Sequence, residues 1–349
     1  MKRRKFNQVL AAVAAGGVLS AAEETGTGGI TDVQGVKAGH FTDRRRPTGC
    51  TVLLFEKGAA AGVDVRGSAP GTRETDLLNP VNSVQQVHAI LLAGGSAYGL
   101  DAASGVMRYL EEHGLGYHFG SAVVPIVPAA ILFDLGVGDP KIRPTAESGY
   151  QACRAATAGK VTEGNVGAGA GATVGKMFGM KSAMKSGIGT ASIRIGKTGI
   201  VVAAIAAVNA VGDVVDPRTG KIVAGARKPD GSGFMDTMAR MREGHGVELP
   251  AGSNTTLGIV ATNVALDKTQ LTKIAQMSHD GLARTIYPVH TPSDGDTIFA
   301  VATAAIAARA NHGAIGALAA DVLAEAVLRA VKNARGLPGL PSASDLKDK

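Results

Sequence analysis

Apolar positions along the chain follow two rhythms, one of short blocks and one of spaced stripes. The blocks lie at 50–55, 61–65, 87–93, 200–208, 257–264 and 297–304, each bounded by glycine or small polar residues, and read as strands. Gly94-Gly95 turns the third block into a helix over 97–113, which Gly114 ends and to whose inner face Val106 and Leu110 contribute. A run over 123–135 contains Pro125 and Pro128, so it is irregular or lies at a sheet edge. The stripes come later. Asp267 opens a helix with Gln270 in the capping position, and Leu271, Ile274, Ala275, Ser278 and Leu282 share one face. A last helix over 313–334 carries Ile315, Leu318, Val322, Leu323 and Val327, and Gly336, Pro338 and Pro341 stop it. Residues 216–252, with Pro, Gly and mixed charge, read as a surface loop region. No repeat is visible. Strands in the middle with helices outside predict an α/β fold, a four-layer α/β/β/α sandwich.

Composition narrows this picture. A chain of 349 residues, 45% hydrophobic, supports one large core or two modest ones. With 48 glycines in short clusters, 4% aromatics and no tryptophan, that core is built from Ala, Val, Ile and Leu on closely packed elements with many tight turns. The net charge of +7 includes Lys2, Arg3, Arg4 and Lys5, which precede an apolar segment over 6–22 ending in Ser20-Ala21-Ala22. That order of charge, apolar run and small residues is that of a signal peptide over 1–22, and a periplasmic or secreted protein follows from it. Arg3-Arg4-Lys5-Phe6 also fits a twin-arginine address, without the usual preceding Ser or Thr. Removing the segment leaves about +3, so a nucleic-acid role loses its main support and no membrane contact is expected of the remainder. Cys50 and Cys153 form neither a metal knuckle nor a redox pair; they read as buried small hydrophobes, with a single disulfide left open.

The most informative stretch is Gly252-Ser253-Asn254-Thr255-Thr256-Leu257-Gly258-Ile259. Ser253 and Asn254 form turns, so Thr255 stands at the first position of a strand. A cut of the Asn254-Thr255 bond would leave a threonine with both a hydroxyl nucleophile and an amine whose pKa, about 7.7–8.0, suits a base near neutral pH. An ordinary loop-to-strand junction carries the same pattern. Gly164 to Ala172 loosely resembles a dinucleotide fingerprint, but 164–212 contains no acidic residue to bind a ribose. What remains is a loop whose backbone approaches another segment closely, with Lys176 at its end; most such lysines are solvated. Gly94-Gly95-Ser96-Ala97-Tyr98 has the outline of a nucleophile elbow with Tyr98 where a glycine belongs, so Ser96 is either a second nucleophile candidate or a helix N-cap. Asp294-Gly295-Asp296 either grips an amine and a hydroxyl together or closes an Asx turn. Asn209 within its apolar run is an internal tie or an oxyanion donor. His290 has no partner at metal-ligand spacing, and no metal site is expected.

Five separated motifs carry a family resemblance: Thr31 to Val36; Ala61 to Gly67 with Pro70 to Asp76; Ala93 to Gly99; Gly164 to Lys176; and Asn254-Thr255-Thr256. Together they resemble the L-aminopeptidase D-amidase/esterase family, which includes β-peptidyl aminopeptidases and the nylon-oligomer hydrolase. The resemblance covers nearly all the chain after residue 22. It implies a single domain cut by itself into two chains, 23–254 and 255–349, and amide hydrolysis without cofactor. It also implies a homo-oligomer of the two-chain unit. Position by position, Thr255 matches the nucleophile, Asn254 the residue before the cut, Asn209 an oxyanion asparagine and Lys176 a lysine near the nucleophile. Asp294 and Asp296 match the nucleophile's hydrogen-bonding partners. Phe133 stands where several members have a tyrosine whose hydroxyl aids the oxyanion, and Gly94, Gly95 and Ser96 are expected near the substrate.

The function that follows is an autoproteolytic N-terminal-nucleophile amidohydrolase acting on small peptides or amino-acid amides through an acyl-enzyme on Thr255. Two rivals share the features: an acyltransferase of similar processing chemistry, and an inactive binding protein with the same fold.

Overall fold

The apolar blocks at 50–55 and 61–65 join into one strand of 18 residues, β2 (Thr48–Val65), in the computed structural model, which describes residues 28–246, 250 and 252–347. The polar break between the blocks does not end the strand. Glu56 and Lys57 are exposed, and pairing with the neighbouring strand shifts between Leu54 and Ala59, so the break becomes an irregularity within β2. The two halves of β2 then serve different sheets. The first half pairs with β1 (Lys37–Asp43) and β3 (Val87–Ala93), and β3 carries the short strands Ala129–Ile131 and Thr72–Arg73 beyond it. The second half pairs with β7 (Thr297–Ala302), from which the sheet continues through β6 (Thr255–Thr262) and β5 (Val201–Asn209) to the edge strand β4 (Ile188–Arg194).

Side-chain alternation sorts the core. Along β5, Val201, Ala203, Ile205 and Ala207 enter a cluster with Leu53, Phe55, Ile90 and Leu92 of the other sheet. Val202, Ala204, Ala206 and Val208 face the opposite way, into a cluster with helices α3 (Lys268–Thr285) and α4 (His312–Lys332). Both faces of β5 are therefore covered, which explains its unbroken apolar sequence. On the far side, Val52, Leu54, Leu91 and Ala93 pack against α1 (Ala102–Glu112) and α2 (Ala146–Arg154). The result is helix, sheet, sheet, helix, as predicted. Small residues let these layers approach: a Cβ on Gly281 of α3 would lie 2.4 Å from the Ala320 carbonyl of α4.

Local signals held where they were local. Asp267 accepts the Gln270 N–H at 2.8 Å while the Gln270 side chain accepts the Asp267 N–H at 3.1 Å, a reciprocal cap, and the five residues of the predicted α3 face are all at least half-buried. The helix predicted over 97–113 instead opens with a 3-10 turn, Ser96–Asp101, before α1 begins. The cause is the tightness of the turn: a Cβ on Gly99 would lie 1.9 Å from the Gly94 carbonyl. The region 216–252 is not all loop, because it contains a strand, Lys221–Ala224, paired with Asp213–Asp216, and a helix, Thr237–Arg242. Cys50 and Cys153 are unpaired and buried in one cluster, and burial pushes the Cys153 thiol up to about 12. The segment 1–22 lies outside the described residues, among which no helix is long and apolar enough to cross a membrane.

Candidate active site

Sheet register assembles the site. Antiparallel pairing sets Asn209, the last residue of β5, opposite Thr255, the first of β6. Parallel pairing of β6 with β7 brings the turn that precedes β7 alongside, with a bridge between Asn254 and Asp294.

Thr255 is 1% exposed, and its hydroxyl donates to the carbonyl of the peptide bond before it, that of Asn254. The same carbonyl accepts the Gly295 N–H at 3.0 Å. No larger residue fits at 295, since a Cβ there would stand 2.8 Å from Thr255 Oγ1 and 2.6 Å from the Ala69 carbonyl. The two flanking aspartates are buried. Asp296 Oδ1 accepts the Thr256 N–H at 2.6 Å, and Asp296 Oδ2 accepts the His290 N–H at 3.1 Å and its ring Nδ1 at 2.8 Å. Asp294 Oδ2 accepts the Thr291 N–H at 2.7 Å. Burial, then the neighbouring charge of Asp296, pushes Asp294 up to about 6, against the opposing pull of the Thr291 hydrogen bonds and Lys176.

Lys176 departs from the solvated reading. It is buried, because its N–H bonds the Val211 carbonyl while Gly175, at φ +70°, lies where a Cβ would meet the Ala226 nitrogen at 2.2 Å. Its Nζ donates to Asn209 Oδ1 at 2.9 Å and makes longer contacts to the Asn209 and Ser253 carbonyls, at 3.3 and 3.5 Å. Burial pulls its pKa down to about 7, although Asp294, Asp134 and Asp296 oppose this. The Asn209 oxygen also accepts from Thr173 N at 3.1 Å, and its Nδ2 donates to the Phe133 carbonyl at 2.9 Å. Asn209 is thus an internal tie, with a second Nδ2 proton beyond the one given to Phe133.

A cleft of about 150 Å³ opens beside this group, walled by Phe133, Val137, Met180 and Pro250, with Asp134 and Lys176 at its polar side. Asp134 is held by a fully buried pair with Arg46 at 2.7 Å, by the Thr48 hydroxyl at 2.6 Å and by the Gly95 N–H at 2.9 Å. Gly94, Gly95 and Ser96, expected near the substrate, do not line the cleft; the two glycines stand behind Asp134, where a Cβ on Gly94 would meet its carboxylate at 2.2 Å. Neither reading of Ser96 finds a partner, as its hydroxyl makes no hydrogen bond among the described residues and the cap of its turn is Gly95. The predicted residues Thr255, Asn254, Asn209, Lys176, Asp294 and Asp296 are brought together, and Phe133 joins them. Sequence reasoning missed the Gly295 N–H, the grip of His290 on Asp296, and Lys185, whose Nζ binds the carbonyls of Gly169, Ala172 and Ser186 and closes the glycine loop. Among the described residues no group of three or more His, Cys, Asp or Glu side chains is placed to hold a metal ion.

Comparison with known proteins places this geometry in a family. Peptidase family S58 matches residues 28–343. An uncharacterized aminopeptidase of Mycobacterium tuberculosis is 46% identical over 345 residues, covering 91% of this chain and 97% of that protein. A 6-aminohexanoate-oligomer endohydrolase of Kocuria sp. is 33% identical over 315 residues, covering 86% and 85%. The fold is shared with a β-aminopeptidase of Burkholderia sp., at TM-score 0.68 and 22% identity over 93% of this chain and 94% of that one. It is shared equally with an L-aminopeptidase D-Ala-esterase/amidase of Ochrobactrum anthropi that is described as a variant of the N-terminal-nucleophile hydrolase fold, at TM-score 0.68 and 20% identity over 93% of each chain. A match along almost the whole described chain, with relatives above 30% identity over most of both lengths, makes this protein a member of peptidase family S58 and a hydrolase.

Proposed function

We propose that this chain is a self-processing N-terminal-nucleophile amidohydrolase whose working residue is Thr255. The observation that carries the reading is the contact of the buried Thr255 hydroxyl with the Asn254 carbonyl, which the Gly295 N–H also holds at 3.0 Å. In the first reaction the hydroxyl oxygen bonds to the Asn254 carbonyl carbon, and the carbon–nitrogen bond to Thr255 breaks. The hydroxyl proton ends on the new amine, and water opens the resulting ester to free the Asn254 carboxylate and the Thr255 hydroxyl. The Gly295 N–H stabilises the charge that builds on the carbonyl oxygen.

The second reaction uses the freed terminus. Thr255 attacks a substrate amide, its own amine takes the hydroxyl proton and delivers it to the leaving amine, and water releases the acyl group. The second Nδ2 proton of Asn209, held in direction by Lys176, Thr173 and the Phe133 carbonyl, serves the oxyanion. Asp294 and Asp296 hold the terminus. The substrates are small peptides or amides, and the chain is exported by its segment 1–22.

Denaturing electrophoresis with Edman sequencing tests this. Two pieces, 23–254 and 255–349, are expected, the second beginning Thr-Thr-Leu-Gly. Turnover in a preparation with no start at Thr255 would overturn the reading.

A further inference from the structure

His290 plays no part in the chemistry above, yet three observations tie it to the site. First, it is a non-glycine residue at φ +56°, a conformation that L side chains rarely adopt. With the backbone so turned, its own N–H and its ring Nδ1 converge on a single oxygen of Asp296, at 3.1 and 2.8 Å. Because the partner is a carboxylate, Nδ1 is the protonated, donating nitrogen. Second, the other ring nitrogen, Nε2, is buried without a hydrogen-bond partner among the described residues. A buried unpaired nitrogen is unfavourable, and an apolar side chain would fill the same space without it. Among the described residues the ring's one hydrogen bond is that to Asp296. Third, the ring is backed by a wall. It meets His279 edge-on with centroids 4.8 Å apart, His279 Nε2 rests on the Asp64 carbonyl at 3.1 Å, and the Arg66 N–H returns to the Asp296 carbonyl at 3.0 Å.

The neighbouring aspartate shows what this adds. Asp294 is held from the one residue Thr291, whereas Asp296 accepts from the very next N–H back in the chain and from the imidazole as well. Its remaining oxygen is thereby aimed at the Thr256 N–H, at 2.6 Å, one residue from the bond to be cut.

We propose that His290 is a positioning residue, which aims Asp296 at the Thr255-Thr256 backbone through paired donation from its main-chain N–H and its ring. This rests on the reading of Thr255 as nucleophile.

The test uses the full chain with His290→Gly and His290→Asn. Glycine keeps the positive φ and deletes the ring; asparagine also tolerates that φ and restores an N–H near the place of Nδ1. With circular dichroism unchanged, His290→Gly should slow both the appearance of the Thr255 terminus and kcat by about 100-fold while KM moves less than about 3-fold, since misaimed groups cost rate more than binding. His290→Asn should return kcat to within about 10-fold of the parent. A folded His290→Gly with parental kcat overturns the role, as does a folded His290→Asn that has lost about 100-fold; the asparagine result decides the matter if the glycine variant does not fold. Thr255→Ala is run alongside. If it still releases a chain starting at residue 255, the nucleophile reading fails. If it is inert while His290→Gly behaves as the parent, only the positioning role fails.

Discussion

Lys176 and Lys185 are both buried, and burial pulls each pKa down to about 7, but they occupy different kinds of region. Lys185 sits inside the glycine loop with its Nζ on three backbone carbonyls, so each ammonium proton has an acceptor and none faces open space. Lys176 has one short bond, to the side chain of Asn209, and borders the cleft under the pull of Asp294, Asp134 and Asp296. Burial and a lowered pKa therefore do not tell the two apart. The kind of partner does: Lys185 is spent on carbonyls that close a loop, and Lys176 bonds the side chain of Asn209 beside the cleft.

Crossed substitutions should give the largest effects. Lys176→Met should lower kcat about 100-fold, because Asn209 loses the charged donor among those that orient its carboxamide, with little change in melting temperature. Lys185→Met should do the reverse. Three carbonyls lose their donor at about 1–3 kcal/mol each, so the melting temperature falls while the folded fraction keeps its kcat. Thermal scans and steady-state kinetics on both proteins would break the comparison if the pattern were inverted.

A smaller effect sharpens the acidic side of Lys176. With Asp294 raised to about 6, turnover that needs its carboxylate should fall about tenfold per pH unit below that value. Asp294→Asn should remove this limb from the pH–rate profile, at reduced activity throughout.

A further effect is one of stability. Each lysine titrates near 7 when folded but near 10.4 when unfolded, so between those values the unfolded chain binds more protons and folding strengthens as pH rises. Urea unfolding at pH 7 and 9 should show this gain, and either Lys→Met variant should flatten it. A gain untouched by both would place it elsewhere.

Legibility in the sequence followed the range of the interaction. The reciprocal cap of Asp267 and Gln270 spans three residues and was readable directly, as was Thr255 at a strand start. The breaks at Glu56 and Lys57 misled because a strand shared by two sheets tolerates an exposed irregularity that a lone strand would not. Composition alone leaves Lys176 among the solvated lysines, and only the family resemblance sets it near Thr255, because its burial depends on Val211 and Ala226, which meet it only in the folded chain. The grip of His290 on Asp296 needs a left-handed backbone at residue 290, and no residue type there announced it.

From its sequence alone this protein determines its alternation of strands and helices, its alanine-rich close packing and the residue types of its candidate site, because periodicity, caps and turn chemistry act over a few residues. Only the tertiary structure decides that Asn209 lies opposite Thr255, that Gly295 reaches the Asn254 carbonyl and that one buried lysine bonds a side chain while the other bonds carbonyls. Those facts depend on the register between strands distant in the chain, and register is set by which face of every strand the whole core buries.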